Sequence, residues 1–491
     1  MGVFLCDSVI SIHSWPRFSV SFKTRLLTSY PSNHTDAAAP KLTLFNQLNA
    51  SRYPYLLSSS AVRQNNTQYD ILLAFPQYTL TLNADKSLHC TDETLLLSAG
   101  FFATLENFYQ KNKVLQSHDN EGLPFCGGWF VYLAYEMAEE IEPRLSLPAL
   151  PAPQPLAVAA RCPAAIIVDK KKRQVFAVAE DEYAHLLDEI EQDFIRLKDD
   201  FELPPVAAER IELKSLIEAD TAPYLQQVVK IKQYIVDGDI FQANLSRQWQ
   251  ATLKHDVSDA RLFATLSQFN PSSFAAMACL PDITVISSSP ERLVSLKNAI
   301  VETRPIAGTR RRDDNRQSDD ALAQELLSHP KEQAEHIMLI DLERNDLGRV
   351  CRPGSIEVNE LMVLESWQHV HHIVSNVRGE LAANKSPIDV LQAVFPGGTI
   401  TGCPKVRCME ILAEMEQQAR GAYTGSLGYI NNDGSMDFNI LIRTMVRDRQ
   451  TGNITFRAGG GIVSDSVAEN ELEETRAKAK GLLKIFILDD E

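Results

Sequence analysis

Several features are scarce in this sequence of 491 residues, and each scarcity excludes a class of protein. The eight cysteines stand singly, without a Cys-x-x-Cys pair, so neither a zinc site nor a disulfide framework is indicated. We expect free thiols in a reducing compartment. Charged residues interrupt every apolar stretch well before the roughly 18 residues that a membrane-spanning helix requires. No membrane segment is therefore predicted.

Positive charge is also scarce, because 48 Lys and Arg residues face 64 Asp and Glu residues and leave a net charge of −16. The basic residues form no stripe along the chain, which argues against a nucleic-acid partner. The segment from Met1 to Val20 lacks the ordered regions of a signal peptide. These features predict a cytoplasmic globular protein, in which a small anionic substrate would need locally placed cations.

The chain divides into three regions by pattern. Residues 1–40 match no usable pattern and are interpreted as a loosely ordered or disordered extension. Region 41–205 is dominated by short β-type runs bounded by Pro, Gly and Asn, and ends at Pro204-Pro205. Region 215–488 alternates helices and strands more densely and holds the motif-like segments.

The predicted strands are Tyr69–Phe75, Ala164–Val168 and Ile283–Ser289; the predicted helices are Leu95–Tyr109, Asp181–Lys198, Tyr224–Val236, Lys331–Leu342, Pro404–Ala419 and Glu469–Leu483.

Two of the predicted helices carry pairs of glutamates three residues apart, which puts each pair on one helix face. The pairs are Glu332 with Glu335, and Glu471 with Glu474. Opposed across a cleft, four such carboxylates would repel one another unless a hard cation such as Mg²⁺ lay between them. A solvated helix face is several times more common for one pair alone, and spacing does not show that the two pairs meet.

Two glycine-rich runs could bring backbone close to a ligand. The first, Phe395 to Lys405, leads into a predicted helix whose first N–H groups could hold a carboxylate. The second, Gly459-Gly460-Gly461, follows a predicted strand. Tight turns explain either run about equally well.

Two further residues are candidates because of where their segments place them. His372 lies in a strand-like run, where a hydrogen-bonded core histidine is the more common interpretation. Arg443 follows the apolar run Asn439 to Ile442, and a buried arginine needs a fixed partner. A substrate carboxylate and an ordinary Asp or Glu are both open as that partner.

Taken in order, these segments resemble the chorismate-binding enzymes, a family that includes large subunits of anthranilate synthase and aminodeoxychorismate synthase and the isochorismate synthases. The resemblance covers roughly residues 221 to 485. Its motifs are Gly238-Asp239-Ile240-Phe241-Gln242, Ser289-Pro290-Glu291-Arg292, Arg304 to Arg310, Glu335-His336 through Asp346, the first glycine-rich run and the closing Glu-rich helix.

The resemblance implies a fold and a set of site residues. The fold would be α/β (α+β), with two facing β-sheets, helices outside and the active site in the cleft. Glu335 and Glu474 would bind Mg²⁺, with Glu332 and Glu471 close to the ion. The implied substrate-binding residues are Tyr423, Arg443, Gly459, Gly460, Gly461, Lys478, Ala307 and Gly308, and the implied catalytic residues are Glu291 as general acid, His372, Thr399 and Gln242.

Two positions bear on the reaction that the family resemblance implies. Relatives that add water carry a lysine base where this chain has Gln242, and glutamine cannot deprotonate water, so ammonia is the expected nucleophile. Aminodeoxychorismate synthases typically have a lysine where this chain has Ala307, which instead looks like anthranilate synthase. The strings Gln242 to Ser246 and Phe395 to Gly402 look more like the aminodeoxychorismate branch.

The strings that usually bind feedback tryptophan in anthranilate synthases are altered here, at Leu56 to Ser59 and Asn270 to Ala275. The expected reaction is therefore amination of chorismate by ammonia to 4-amino-4-deoxychorismate, on the path to 4-aminobenzoate and folate. The sequence has no glutaminase nucleophile turn, so a separate glutamine amidotransferase subunit is an expected partner. The alternatives are an anthranilate synthase large subunit and a chorismate-binding regulatory subunit without catalysis.

Overall fold

The computed structural model describes residues 22–29, 38–59, 69–114, 122–202, 209–313, 315–366 and 370–488. The α-helices in these ranges are α1 Ala38–Leu48, α2 Phe101–Asn112, α3 Ala138–Ile141, α4 Leu186–Glu202, α5 Thr221–Val236, α6 Asp259–Phe269, α7 Arg316–Ser328, α8 Pro330–Gly348, α9 Pro387–Val394, α10 Lys405–Glu416 and α11 Ala468–Leu483. Short 3₁₀ turns cover Tyr135–Met137, Asp181–Tyr183 and Gly398–Ile400. No helix in these ranges is long and apolar enough to cross a membrane.

The strands form two large, mostly antiparallel sheets. Their bounds are β1 Phe22–Ser29, β2 Tyr55–Ser58, β3 Tyr69–Ala74, β4 Thr79–Leu82, β5 Leu88–Cys90, β6 Gly128–Leu133, β7 Ala157–Cys162, β8 Ala164–Asp169, β9 Gln174–Glu180, β10 Ile211–Glu218, β11 Gln242–Leu253, β12 Phe274–Cys279, β13 Ile283–Ser289, β14 Arg292–Lys297, β15 Ile300–Thr303, β16 Ile306–Arg311, β17 Glu357–Ser366, β18 Val370–Glu380, β19 Gly402–Cys403, β20 Ser426–Asn431, β21 Met436–Ile440, β22 Thr444–Asp448, β23 Ile454–Ile462 and β24 Phe486–Leu488. The first sheet runs β1-β9-β8-β3-β2-β12-β13-β22-β23-β11-β10-β24, with β19 added to β11. The second runs β16-β18-β15-β14-β21-β20-β6-β7-β4-β5, with β17 added to β18.

The two sheets face each other across one apolar core, as expected. On β3, Ile71 and Leu73 point into the core shared with the second sheet, whereas Leu72 points to the helices behind the first sheet. Successive strand residues point to opposite faces, so a strand covered on both sides is apolar along most of its length. Tyr55 of the first sheet stacks on Phe130 of the second with ring centroids 3.8 Å apart. Burial of each such side chain contributes about 1.5–3 kcal/mol.

Both sheets contain strands from before and after the boundary predicted near residue 205. In the first sheet β2 pairs with β12, and in the second β6 pairs with β20. Hydrogen-bonded ladders therefore join regions 41–205 and 215–488 into one interlocked unit, and the two ranges are not separate folding units. The break at Pro204-Pro205 lies outside the described residues.

Part of the predicted N-terminal extension is ordered: residues 22–29 form strand β1 and residues 38–40 begin helix α1, which corrects the prediction for these residues. Strand β1 pairs antiparallel with β9, from Phe22 opposite Glu180 to Ser29 opposite Gln174. Phe22 and Leu27 also pack against the core. The backbone pairing and these apolar contacts give the segment a fixed place, and residues 1–21 lie outside the described ranges.

Most predicted elements in the second half have the predicted type. The strand at 283–289 and the helices at 224–236, 331–342, 404–419 and 469–483 are confirmed, with ends shifted by up to six residues. In the first half, the helix predicted from Leu95 begins only at Phe101, after Gly100 with φ of 95°. The one predicted from Asp181 begins as a 3₁₀ turn and becomes α-helical at Leu186.

Candidate active site

The glycine run Gly459 to Gly461 lies inside strand β23 and not in a turn, so the tight-turn interpretation of this run is wrong. These glycines pair with Ser246, Leu245 and Asn244 of β11. A β-carbon on Gly459 would lie 2.5 Å from the carbonyl oxygen of Leu245 and 2.7 Å from the hydroxyl of Tyr423. The missing side chains thus leave a strand surface that other groups approach closely.

Two predicted substrate-binding side chains, those of Tyr423 and Lys478, meet at this strand. The Tyr423 hydroxyl lies over Gly459, and Nζ of Lys478 donates to the Gly459 carbonyl oxygen at 3.0 Å. Lys478 also forms an ion pair of 2.7 Å with Glu474, four residues earlier on α11. The structure thus brings a phenol and an ammonium group to one backbone segment.

Three of the four glutamates predicted near Mg²⁺ reach the glycine strand, Glu335 from α8 and Glu471 and Glu474 from α11. A β-carbon on Gly460 would lie 3.3 Å from a carboxylate oxygen of Glu471 and 3.4 Å from one of Glu474. From α8, Glu335 accepts a hydrogen bond of 2.8 Å from Nε2 of Gln242. Glu332 takes no part in these contacts; its carboxylate instead accepts a hydrogen bond of 3.2 Å from Arg310.

Gln242 connects α8 to the glycine strand β23. Its Nε2 atom contacts Glu335 and would lie 2.1 Å from a β-carbon on Gly461, next to the glycine that faces Glu471 and Glu474. Glu471 and Glu474 therefore border Gly460, and Glu335 reaches the adjacent Gly461 through the amide of Gln242. Among the described residues, no group of three or more His, Cys, Asp or Glu side chains is placed to hold a metal ion. Oxygen donors of this kind are nevertheless those that Mg²⁺ prefers, and Glu471 is buried.

Glu291 and Thr399 form the proposed proton-donating part of the site. Glu291 is buried after β13, and the Thr399 hydroxyl donates to its Oε1 at 2.8 Å. Burial raises the pKa of Glu291 to about 7, although the hydroxyl of Thr399 and the charges of Arg443 and Lys478 partly oppose the shift. A carboxyl group with this pKa can hold and release a proton near neutral pH.

His372 is buried and Arg443 is half-buried, and the charge of Arg443 acts on both Glu291 and His372. Burial lowers the pKa of the Arg443 guanidinium, and the charge of Glu291 opposes that shift. The Arg443 backbone has φ of 50°, an uncommon conformation for a residue with a side chain, between β21 and β22. Burial and the Arg443 charge lower the pKa of His372 to about 4, so its imidazole is neutral near pH 7.

Ala307 and Gly308 form a bulge at the edge of the second sheet. Ala307 pairs with Ile373 and Thr309 with His372, so Gly308 is the extra residue, with φ of 69°. A β-carbon on Gly308 would lie 2.8 Å from Oε2 of Glu332. The bulge therefore connects the Ala307 strand to α8, and the methyl group of Ala307 supplies no amine.

A buried ion-pair network beneath the glycine strand was missed from the sequence. Oε1 of Glu416 accepts from the Ser246 backbone N–H at 2.9 Å and forms an ion pair of 2.7 Å with Arg420. Arg457 lies 3.2 Å from the same carboxylate group, and the Arg420 guanidinium lies 5.7 Å from the Tyr423 ring centroid. The only sequence signal was the Glu-x-x-x-Arg spacing, which usually marks an exposed pair.

The two strings compared with the tryptophan site line a cavity between the sheets. β2 and β12 pair so that Ser58 lies opposite Ala275. The cavity is also lined by Arg292 and Asp437, which form a bidentate ion pair at 2.8 and 2.9 Å. The two altered strings therefore face a common space.

Comparison with known proteins identifies the family. Residues 54–484 match the family model described as chorismate binding enzyme. The chain is 42% identical over 403 residues to aminodeoxychorismate synthase component 1 of Bacillus subtilis (strain 168), covering 79% of this chain and 83% of that protein. It is 35% identical over 485 residues to anthranilate synthase component 1 of Synechocystis sp., covering 91% and 94%.

A solved structure gives the same result for the fold. Anthranilate synthase component I of Streptococcus pneumoniae TIGR4 superposes with a TM-score of 0.74 at 30% identity, covering 86% of this chain and 93% of that chain. The two-sheet architecture and the family resemblance found from the motifs are thereby confirmed. The chain belongs to the chorismate-binding enzyme family and is a chorismate-utilising enzyme.

Proposed function

We propose that this enzyme aminates chorismate with ammonia to 4-amino-4-deoxychorismate, in a Mg²⁺-dependent reaction that leads to 4-aminobenzoate and folate. A separate glutamine amidotransferase subunit supplies the ammonia. The relatives named component 1 support a two-component arrangement, and the relative from Bacillus subtilis supports this branch.

The observation that carries amination is the orientation of the Gln242 amide. Its Nε2 donates to Glu335, so its Oε1 points the other way. Oε1 is buried and has no hydrogen-bond partner among the described residues. An unpartnered buried acceptor is unfavourable by about 1–3 kcal/mol, and an N–H of incoming ammonia would satisfy it. An amide cannot act as the base that water addition requires.

The remaining residues then bind different parts of the substrate. Arg443 and the backbone at Gly459 to Gly461 bind the enolpyruvyl carboxylate, with Tyr423 and Lys478 beside it. Thr399 and His372 lie near the ring carboxylate and the reacting face. Neutral His372 donates or accepts hydrogen bonds there without adding charge.

The carboxylates of Glu335 and Glu474, with Glu332 and Glu471 nearby, would hold Mg²⁺. The bound ion would supply Lewis-acid polarisation of the ring carboxylate, which makes the ring a better electron acceptor. Glu291 protonates the departing 4-hydroxyl, which is otherwise a poor leaving group. Its pKa of about 7 leaves a substantial protonated fraction at neutral pH.

Ala307 supports a second candidate, the anthranilate synthase reaction, which releases pyruvate and an aromatic product. In the first candidate, ammonia attacks C4 directly or the reaction follows a different covalent route, because the methyl group of Ala307 cannot act as the nucleophile. We rank aminodeoxychorismate formation first because the strings Gln242 to Ser246 and Phe395 to Gly402 favour it, whereas Ala307 alone favours the second candidate. The altered strings at Leu56 to Ser59 and Asn270 to Ala275 add to that weight.

Product analysis tests the choice directly. Purified protein is incubated with chorismate, Mg²⁺ and excess ammonium, while anthranilate fluorescence and pyruvate are followed, and aminodeoxychorismate lyase is then added. We expect 4-aminobenzoate only after the lyase. Immediate anthranilate with pyruvate would replace the proposal by the second candidate, and absence of any Mg²⁺-dependent turnover would favour a regulatory subunit.

A further inference from the structure

Three polar residues alternate along β11, Gln242, Asn244 and Ser246, so their side chains point to one face of the strand. Ala243 and Leu245 between them pack into a hydrophobic cluster on the other face. The side chains of Gln242 and Ser246 each bond a glutamate. Oδ1 of Asn244 is buried and has no hydrogen-bond partner among the described residues. The function proposed above assigns no role to the Asn244 side chain.

Backbone hydrogen bonds hold Asn244 beside the turn that carries Thr399. The Asn244 N–H donates to the Thr401 carbonyl oxygen at 3.0 Å. Nη2 of Arg420 donates to the Asn244 carbonyl oxygen at 2.6 Å, and Nη1 of the same guanidinium donates to the Ile400 carbonyl oxygen at 3.3 Å. One buried arginine therefore fixes Asn244 against the residues that directly follow Thr399.

The Asn244 amide also reaches the glycine strand. A β-carbon on Gly459 would lie 2.8 Å from Oδ1 of Asn244 and 2.7 Å from the Tyr423 hydroxyl. Asn244 as a whole is half-buried, and rotation about the last bond of its side chain is soft, so Oδ1 can turn from Gly459 toward the cleft. The amide thus borders two parts of the proposed site, the carboxylate-binding strand and the pair formed by Thr399 and Glu291.

The chemistry of chorismate indicates which group this oxygen would bind. Both carboxyl groups of chorismate are ionised at neutral pH and only accept hydrogen bonds, so the 4-hydroxyl is its one O–H donor. The ring carbon that bears this hydroxyl is bonded to the carbon that bears the enolpyruvyl group. When the enolpyruvyl carboxylate lies at Gly459, the 4-hydroxyl is therefore next to the carboxylate-binding strand.

We propose that Oδ1 of Asn244 accepts a hydrogen bond from the 4-hydroxyl of chorismate, which makes Asn244 a specificity-determining residue for that group. The inference rests on the proposed function, in which the enolpyruvyl carboxylate binds at Gly459 and Glu291 protonates the departing hydroxyl. Because the hydroxyl donates its hydrogen to Asn244, its oxygen lone pairs stay available for the proton of Glu291. The two unpartnered amide oxygens then bind different reactants, Gln242 the ammonia and Asn244 the hydroxyl.

Binding of chorismate and of its 4-deoxy analogue tests the contact, because the analogue lacks only the 4-hydroxyl. Dissociation constants are measured by titration calorimetry, with Mg²⁺ and without ammonia, for the wild type and for Asn244→Leu, which has a similar shape and no hydrogen-bonding group. We expect the wild type to bind chorismate about three- to tenfold more tightly than the analogue, the effect of one hydrogen bond, and Asn244→Leu to bind both equally. An unchanged preference in Asn244→Leu would overturn the inference, as would the lack of any preference in the wild type.

Matched variants test whether the preference depends on Asn244 alone. Gln248 lies on the same face of β11, about 13 Å further along the strand, so Gln248→Leu should keep the wild-type preference. A lost preference in Gln248→Leu would contradict the specific role of Asn244. Asn244→Asp keeps an acceptor oxygen but adds negative charge, so both anionic ligands should bind more weakly while the preference for chorismate remains. Asn244→Asp also serves as the test if Asn244→Leu does not fold, and equal binding of the two ligands by Asn244→Asp would then count against the contact.

Product analysis of the wild type separates this inference from the proposed function. Chorismate is the substrate of both candidate reactions, so the binding preference can be measured whichever product forms. Formation of 4-aminobenzoate after the lyase, with an unchanged preference in Asn244→Leu, would remove only the inference. Formation of anthranilate, with the preference lost in Asn244→Leu, would support the Asn244 contact and remove only the proposed function.

Discussion

Glu291 and Glu416 both have buried side chains near the same glycine strand, yet their surroundings shift their pKa values in opposite directions. Burial raises the pKa of Glu291 to about 7, and the Thr399 hydroxyl and the charges of Arg443 and Lys478 offset only part of that rise. Burial would raise the pKa of Glu416 as well, but the charges of Arg420 and Arg457 outweigh it and the net shift is downward.

The difference teaches that burial alone does not assign a role to a carboxyl group. Glu416 accepts from Ser246 and pairs with two arginines, so its charge is neutralised permanently and it organises β11, β23 and the Tyr423 loop. Glu291 has few fixed partners, so its proton is exchangeable. The first arrangement supports structure, and the second suits proton transfer.

Among the variants that test this difference between Glu291 and Glu416, Glu291→Gln should have the largest effect, a loss of turnover. A positioned general acid contributes about 10²–10⁴-fold, and the amide keeps the shape but cannot donate a carboxyl proton. We expect kcat with chorismate and ammonium to fall by that factor, while the thermal unfolding midpoint at pH 4, where Glu291 is neutral in the folded and the unfolded chain, changes little. Turnover within about threefold of the wild type would remove Glu291 as the acid.

The next largest effect is loss of stability in Glu416→Gln. The variant leaves the buried charges of Arg420 and Arg457 without their counter-ion, a change that typically destabilises a protein by about 3–5 kcal/mol. Denaturant unfolding measures it. Glu473→Gln is the matched control, because Glu473 pairs with Arg476 on the surface at 67% side-chain exposure and should change little. Equal effects in the two variants would contradict the structural role of Glu416.

The same contrast explains which features could be predicted from the sequence. Glu291, Thr399 and Gln242 stand in ordered motifs, and the family resemblance supplied the two-sheet fold that the comparisons confirm. The site assignments themselves stay predictions. Strand and helix types followed from apolar periodicity, because a strand covered on both faces is apolar along most of its length, as β8 is from Ala164 to Val168.

Features that depend on distant parts of the chain meeting could not be predicted. The pairing of β6 with β20 joins Leu133 to Ser426, far apart in the sequence, and no local pattern encodes it. The Glu416 network needed the positions of Arg457 and Ser246, which belong to other strands. The strand at Gly459 to Gly461 was ambiguous because glycine suits turns and close strand contacts equally.

The smallest expected effect is on the pH dependence of the unfolding free energy, which should differ between Glu291 and Glu416 variants. The folded-state pKa of Glu291 lies above its ordinary value of 4.5, so its contribution to stability is fully present below about pH 4.5 and is lost as pH rises through about 7. Glu416 has a lowered pKa, so its contribution is present above the ordinary value and is lost as pH falls through the folded-state value.

Between about pH 4 and 8, the unfolding free energy of Glu291→Gln should therefore rise by about 3 kcal/mol relative to the wild type. Glu416→Gln should show the opposite trend, with its deficit shrinking toward acid pH. Parallel pH curves for wild type and Glu291→Gln, measured by denaturant unfolding, would show that the Glu291 proton is not held by the fold.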